Sequence, residues 1–298
     1  MIEIKKITKR YDKENVLSEL NCTIKENCIY GLVGANGSGK STLLRLINGI
    51  LIPDNGMIKI DGEDISDNET IKQEMVFVPD DLYFYPSYTL MDMAKFYQAL
   101  YHKFDMDYLK KLATNLKLNP NGKLNSFSKG MKRQCALILA LSTRAKYMFF
   151  DETFDGIDPV IRNFFKKVMA KQMAQDNTTI IMTSHNLREL EDICDNLGLL
   201  YDGGILFESD IDSLKTNMFK VQISLKKEFN ENDFLELDVL SFKKIGSIAT
   251  IIIKDEEQKS KELLENMNPV ILDFLPLTLE EVFIYEMEAL GYEFEELL

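Results

Sequence analysis

A chain of 298 residues is long for a single hydrophobic core, so one large domain and a smaller second one are expected. Apolar residues at 45% and charged residues at 28% are ordinary globular values, which sets aside a disordered or fibrous chain. The net charge of −13 argues against nucleic acid or anionic lipid as the main partner, because both are held by clustered Lys and Arg.

Cys22, Cys28, Cys135 and Cys194 form no Cys-x-x-Cys pair, and two histidines are too few for an ordinary zinc site, so buried reduced thiols are expected. The opening Met-Ile-Glu-Ile-Lys-Lys lacks the apolar core of a signal peptide, and no apolar run approaches the roughly 20 residues of a membrane span. A cytosolic protein is expected, with no direct membrane insertion.

Residues 2–8 and 20–26 alternate apolar and polar as half-buried strands do, with the turn-rich Tyr-Asp-Lys-Glu-Asn between them. The apolar run Cys28–Val33 then leads into Gly34-Ala35-Asn36-Gly37-Ser38-Gly39-Lys40-Ser41-Thr42, and Leu43, Leu44, Leu46 and Ile47 continue at helical spacing. This is the phosphate-loop pattern Gly-x-x-x-x-Gly-Lys-Ser in its strand–loop–helix setting. Glycines let successive backbone N–H groups curl around phosphate oxygens, and the new helix turns its positive end to the same anion. Lys40 is expected to neutralise β/γ charge and the Ser41 hydroxyl to hold Mg²⁺. The chain is therefore expected to bind a nucleoside triphosphate.

Further on, Pro53-Asp-Asn-Gly56 predicts a turn, Met57–Gly62 a strand with a second turn, and Met75–Pro79 a short buried strand. From Thr89 to about Arg144 the spacing is helical, broken at Asn119–Gly122. Within that stretch Asn125-Ser-Phe-Ser-Lys-Gly-Met-Lys-Arg-Gln134 precedes a strongly helical run. Ser128 occupies an N-cap place, and Gly130 would allow an anion close to the helix start, although a capped core helix has the same appearance. Tyr147-Met-Phe-Phe-Asp-Glu152 is a buried strand ending in two carboxylates. Asp151 could hold a Mg²⁺ shell and Glu152 could deprotonate an attacking water, or the strand could simply end in a charged turn. Thr179–Thr183 is another buried strand, and His185 follows it toward the crevice where such sheets bind ligands. Leu197–Tyr201 is a last strand before Asp202-Gly-Gly204. Strands alternating with helices predict a mostly parallel sheet covered on both faces.

Past about Ser213 the pattern changes. Strands are predicted at 219–225, 247–253 and 270–274, a charged helix at 256–266 and an amphipathic helix at 278–288. Residues 213–298 carry 18 Asp and Glu against 9 Lys, a solvated α+β appendage with nothing catalytic in it.

The phosphate loop alone leaves kinases, GTPases and ATPases open. The later segments, taken in order, resemble the ATP-binding subunit of bacterial ABC transporters over residues 1–212. Tyr11 matches the aromatic residue that stacks on adenine, and Gly34–Thr42 match Walker A. Phe127-Ser-Lys-Gly-Met131 match the Leu-Ser-Gly-Gly-Gln signature. Asp151 and Glu152 match the end of Walker B with its catalytic glutamate, Gly156-Ile-Asp158 the D-loop, and His185 the switch histidine.

The resemblance implies an α/β phosphate-loop cassette over 1–212 with a helical subdomain at about 82–146, and an accessory domain at 213–298. It implies ATP and Mg²⁺ as cofactors, with Ser41, Asp80 and Asp151 toward the metal and Lys40, Ser128, Glu152 and His185 in catalysis. It implies a second cassette paired head to tail, each phosphate loop facing the other's Ser128 and Gly130. A separate membrane permease would hold the chain at the inner face of the cell membrane. Within the family it is similar to exporters of drugs, lantibiotics and cytotoxic peptides, the staphylococcal exporters of phenol-soluble modulins among them.

Four positions depart from the family pattern: Asp80 where Gln is usual, Lys129 and Met131 in the signature, and Thr153 where Pro usually follows the glutamate. Asp80 and Lys129 keep open a weakly hydrolysing ATP-gated sensor or clamp. A soluble cassette ATPase not tied to transport is the other alternative, but one set of motifs, no long coiled-coil insertion and the acidic charge all speak against it.

Overall fold

The computed structural model describes residues 1–12, 14–66, 68–191, 193–211 and 218–289. The chain divides into two compact units, Met1–Glu208 and Ser209–Leu298. The boundary expected at 212/213 lies outside the described residues.

In the first unit, the alternating N-terminal segments pair antiparallel as β1 (Ile2–Tyr11) and β2 (Glu14–Ile24). One face buries Ile2, Ile4, Ile7, Leu17, Leu20 and Ile24, the period-2 pattern visible in the sequence. Together with β4 (Asn55–Ile60) and the two-residue β5 (Glu63–Asp64) they make a four-stranded sheet in the order β2-β1-β4-β5.

The apolar runs build a second sheet from β3 (Ile29–Val33), β6 (Met75–Val78), β7 (Tyr147–Asp151), β8 (Thr179–Ser184), β9 (Asn196–Tyr201) and β10 (Gly204–Asp210), in the order β10-β9-β3-β8-β7-β6. Strands β9, β3, β8, β7 and β6 run parallel. Every residue of β3, β7 and β8 is buried, as strands covered on both faces require. The register sets Val33 against Ser184, Asp151 against Thr183 and Val78 against Phe150. The loops after β3, β6, β7 and β8 therefore leave the sheet along one edge, where open α/β sheets bind ligands.

Seven α-helices accompany these sheets among the described residues of the first unit. Helix α1 (Lys40–Ile47) follows β3 and buries Leu43, Leu44, Leu46 and Ile47, and the short α2 (Glu69–Gln73) precedes β6. The helical stretch between β6 and β7 resolves into α3 (Leu90–Leu100), α4 (Met106–Asn115) and α5 (Lys129–Ser142). A Thr89–Asp92 capping box starts α3 and the Asp105 carboxylate starts α4. The break at Asn119–Gly122 separates α4 from α5. A Cβ on Gly122 would stand 2.7 Å from the Phe127 ring, which accounts for glycine there. Helix α6 (Pro159–Asp176) links β7 to β8, and α7 (Leu187–Glu191) follows β8.

The second unit is a four-stranded antiparallel sheet of β11 (Phe219–Ser224), β12 (Val239–Ile245), β13 (Ile248–Ile253) and β14 (Ile271–Leu275), in the order β12-β13-β11-β14. Val221, Ile223, Ile251, Ile253, Phe234 and Leu264 form its core, the last from α8 (Glu257–Asn266). Helix α9 (Leu279–Ala289) is tied to β11 by the Lys220–Glu281 ion pair. The two-residue β5 was not expected from the sequence, nor were the longer β10 and β12. The latter is an edge strand with no fully buried residue, and Lys243 and Lys244 break its apolar alternation.

Candidate nucleotide site

The loop between β3 and α1 is shaped by its glycines. Gly37 (φ 87°) and Gly39 (φ 104°) are left-handed, a conformation other residues resist. Gly39 also lies against β2, where a Cβ would meet Leu17 Cδ2 at 2.9 Å and the Val16 carbonyl at 3.1 Å. Side chains cap the starts of α3, α4, α5 and α6, but Gly39 offers none to α1. The first N–H groups of α1 thus await an external acceptor, the arrangement an anion satisfies.

Lys40 is buried, with Nζ donating to the Gly34 carbonyl (2.7 Å) and the Ala35 carbonyl (3.1 Å), and 3.5 Å from Glu152 Oε1. Burial pulls its ammonium below the ordinary lysine range, and the Glu152 carboxylate opposes the shift. Asn36 and Gly37 are exposed at the loop tip, while Ala35, Ser38, Ser41 and Thr42 are half-buried.

Asp151 ends β7 buried at 1% exposure, and its Oδ1 accepts from Ser41 Oγ (3.0 Å) and Thr183 Oγ1 (2.7 Å). The Thr183 hydroxyl in turn accepts from the Glu152 backbone N–H (3.0 Å), so one threonine on β8 orients both acidic residues. Glu152 is left-handed (φ 45°), a turn that directs its side chain to Lys40 on one side and to His185 Nδ1, 3.4 Å from Oε2, on the other. Thr153, at the unusual position after the glutamate, is buried, and its hydroxyl donates to the Asp151 and Val78 carbonyls (3.2 and 3.4 Å).

The turn bearing His185 has its own support. Ser184 Oγ donates to Glu189 Oε2 (3.1 Å) and accepts from the Asn186 N–H, and Glu189 Oε1 accepts from Arg162 on α6 (3.0 Å).

Lys40, Ser41, Asp151, Glu152 and His185 are thus gathered at one edge of the sheet. Ser128, Asp158, Tyr11 and Asp80 make no hydrogen bond or ion pair with these five among the described residues. Ser128 is exposed, its hydroxyl accepting from the Met131 N–H (3.3 Å) at the start of α5, with Gly130 open beside it. Asp158 is exposed and caps α6 through the Val160 N–H (2.8 Å). Tyr11 is half-exposed at the end of β1, with Lys9 Nζ 5.9 Å from its ring centre. Asp80, expected beside Mg²⁺, accepts from Arg133 Nη2 (2.8 Å) through Oδ1. Thr183, Glu189, Arg162 and Arg133 were not anticipated, because each acts through a partner distant in sequence.

A family model described as ABC transporter matches residues 17–155. The ABC transporter ATP-binding protein YtrB of Bacillus subtilis is 33% identical over 95% of this chain and 97% of its own length. The bacitracin transport ATP-binding protein BcrA of Bacillus licheniformis is 30% identical over 72% of this chain and 71% of its own. A solved ATP-binding subunit of an ABC transporter superposes with a TM-score of 0.66 at 25% identity, over 72% of this chain and 92% of that one. This chain belongs to the ABC transporter ATP-binding family. It is an ATP-binding cassette ATPase, and among its described residues no helix is long and apolar enough to cross a membrane.

Proposed function

We propose that the chain hydrolyses ATP to drive export of a peptide or peptide-like drug through a separate membrane polypeptide, which holds it at the cytoplasmic face of the membrane. The contiguous set of Lys40, Ser41, Asp151, Glu152 and His185 at one sheet edge carries this reading, and the bacitracin and lantibiotic transport proteins among its relatives suggest the cargo class. Residues 1–212 are taken as the ATPase, with a helical subdomain at about 82–146, and 213–298 as an accessory domain.

The uncapped start of α1 and the loop N–H groups take the phosphates, and Lys40 moves from the loop carbonyls to the β/γ oxygens. Ser41 Oγ and Asp151 Oδ1 are 3.0 Å apart, a hard-oxygen pair suited to Mg²⁺ arriving with the triphosphate. When bound, that ion neutralises phosphate charge. Glu152 takes a proton from the attacking water as the bond from the γ-phosphorus to the bridging oxygen breaks, leaving ADP and phosphate. His185 fixes the Glu152 carboxylate from its other oxygen. Tyr11 offers a face to adenine. Ser128 and Gly130 start α5, and in a head-to-tail pair they close over the partner's γ-phosphate, with Asp158 at the seam.

Copurification with a membrane subunit, and peptide-stimulated phosphate release that Glu152→Gln removes, test the reading. Turnover unaffected by that substitution contradicts it.

A further inference from the structure

Arg133, in the second turn of α5, is 3% exposed although it is a charged side chain. Its Nη2 donates to Asp80 Oδ1 at 2.8 Å, and Nη1 lies 3.6 Å from Asp155 Oδ2. Asp80 follows β6, and Asp155 lies in the loop between Glu152 and Asp158. The buried Nε has no acceptor among the described residues, so the two carboxylates carry the charge compensation. A buried cation stripped of its partners is strongly unfavourable, so Arg133 keeps its place only while both loops keep theirs. Three segments with assigned roles therefore meet at one guanidinium: the helix begun by Ser128, the strand end at Asp80, and the loop from Glu152 to Asp158.

We propose that Arg133 is a positioning residue for ATP hydrolysis. Through the Asp80–Arg133–Asp155 clamp it sets the helix start at Ser128 against the loop bearing Glu152 and Asp158, so a shift of one reaches the other. The inference rests on the roles assigned above to Ser128 and Glu152. It also explains why position 80 is a carboxylate: Asp80 answers the cation on α5, and a neutral residue there would leave Arg133 to Asp155 alone.

A double-mutant cycle in the full-length chain tests the clamp, with kcat, KM and calorimetric ATP affinity measured for Arg133→Gln, Asp80→Gln and the pair together. Each single variant is expected to lose about tenfold in kcat with ATP affinity unchanged. The pair is expected to recover most of that loss, because two amides can hydrogen bond without a stranded charge. The half-buried Asp155→Asn should lower kcat in the wild-type background and leave it unchanged in Arg133→Gln. Losses that simply multiply in the double variant overturn the proposal. A kcat loss matched by an equal loss of ATP affinity and thermal stability does the same, since Arg133 would then serve packing alone. Glu152→Gln, run in parallel, reads the site assignment separately: wild-type turnover there removes the role of Glu152, while the cycle still decides Arg133.

Discussion

Ser41 Oγ donates to Asp151 Oδ1 across 3.0 Å, joining the first turn of α1 to the last residue of β7 over 110 positions of sequence. The parallel register brings them together: β3 and β7 flank β8, and the loop after β3 and the end of β7 leave the sheet along the same edge. Thr183, on the strand between them, holds the same carboxylate oxygen. Ser41, Asp151 and Thr183 are therefore held together by two strand ends and a helix start.

On the proposed reading, Lys40→Ala removes a side-chain cation that meets the β/γ phosphates. One charge-assisted contact is worth about 1.5–3 kcal/mol, so ATP affinity should fall roughly 10- to 150-fold by calorimetry. Unchanged affinity contradicts the placement of the phosphates at this loop.

Glu152→Gln keeps the shape of the side chain and loses the base. Turnover should fall about 10²–10⁴-fold with ATP binding intact, and size-exclusion chromatography with ATP should show more paired protein than wild type. A variant that pairs no more than wild type speaks against the trans arrangement.

Thr183→Val strips a donor from buried Asp151 and leaves the Glu152 N–H without its acceptor. Denaturant unfolding should register a loss of about 1–3 kcal/mol, with a fall in kcat larger than any change in KM. Wild-type stability and turnover together exclude the bridging role.

Burial pushes the Cys22 and Cys135 thiols up to about 12 and Cys28 up to about 11. At pH 8 the thiolate fraction at the first two is on the order of 10⁻⁴, so alkylation of the native chain should be slow at Cys22 and Cys135 and rapid only after denaturation. Fast native labelling at either position contradicts the packing of β2 or α5.

Most of the candidate site was legible in the sequence because its chemistry demands fixed residue types in short contiguous runs: Gly34–Thr42, Asp151-Glu152, and His185 after a buried strand. The supports were not legible. Arg133 meets Asp80 across 53 positions and Arg162 meets Glu189 across 27, and no local pattern distinguishes those arginines from solvated ones. The same absence of local signal hides the Asp80–Arg133 pair in the sequence. In the fold, strands with apolar runs were found, while the half-buried edge strand β12 carried too little alternation to register.

The most direct measurement is ATP turnover by an equimolar mixture of Ser128→Arg and Lys40→Ala chains. In a head-to-tail pair, one composite site then carries both lesions and the other neither. The mixture should recover part of wild-type turnover, each variant alone should be inactive, and Ser128→Arg should still bind ATP as a single chain because Lys40 and Ser41 remain. No recovery on mixing, with ATP affinity and hydrolysis lost equally in Ser128→Arg alone, would put Ser128 in its own chain's pocket and contradict the shared site.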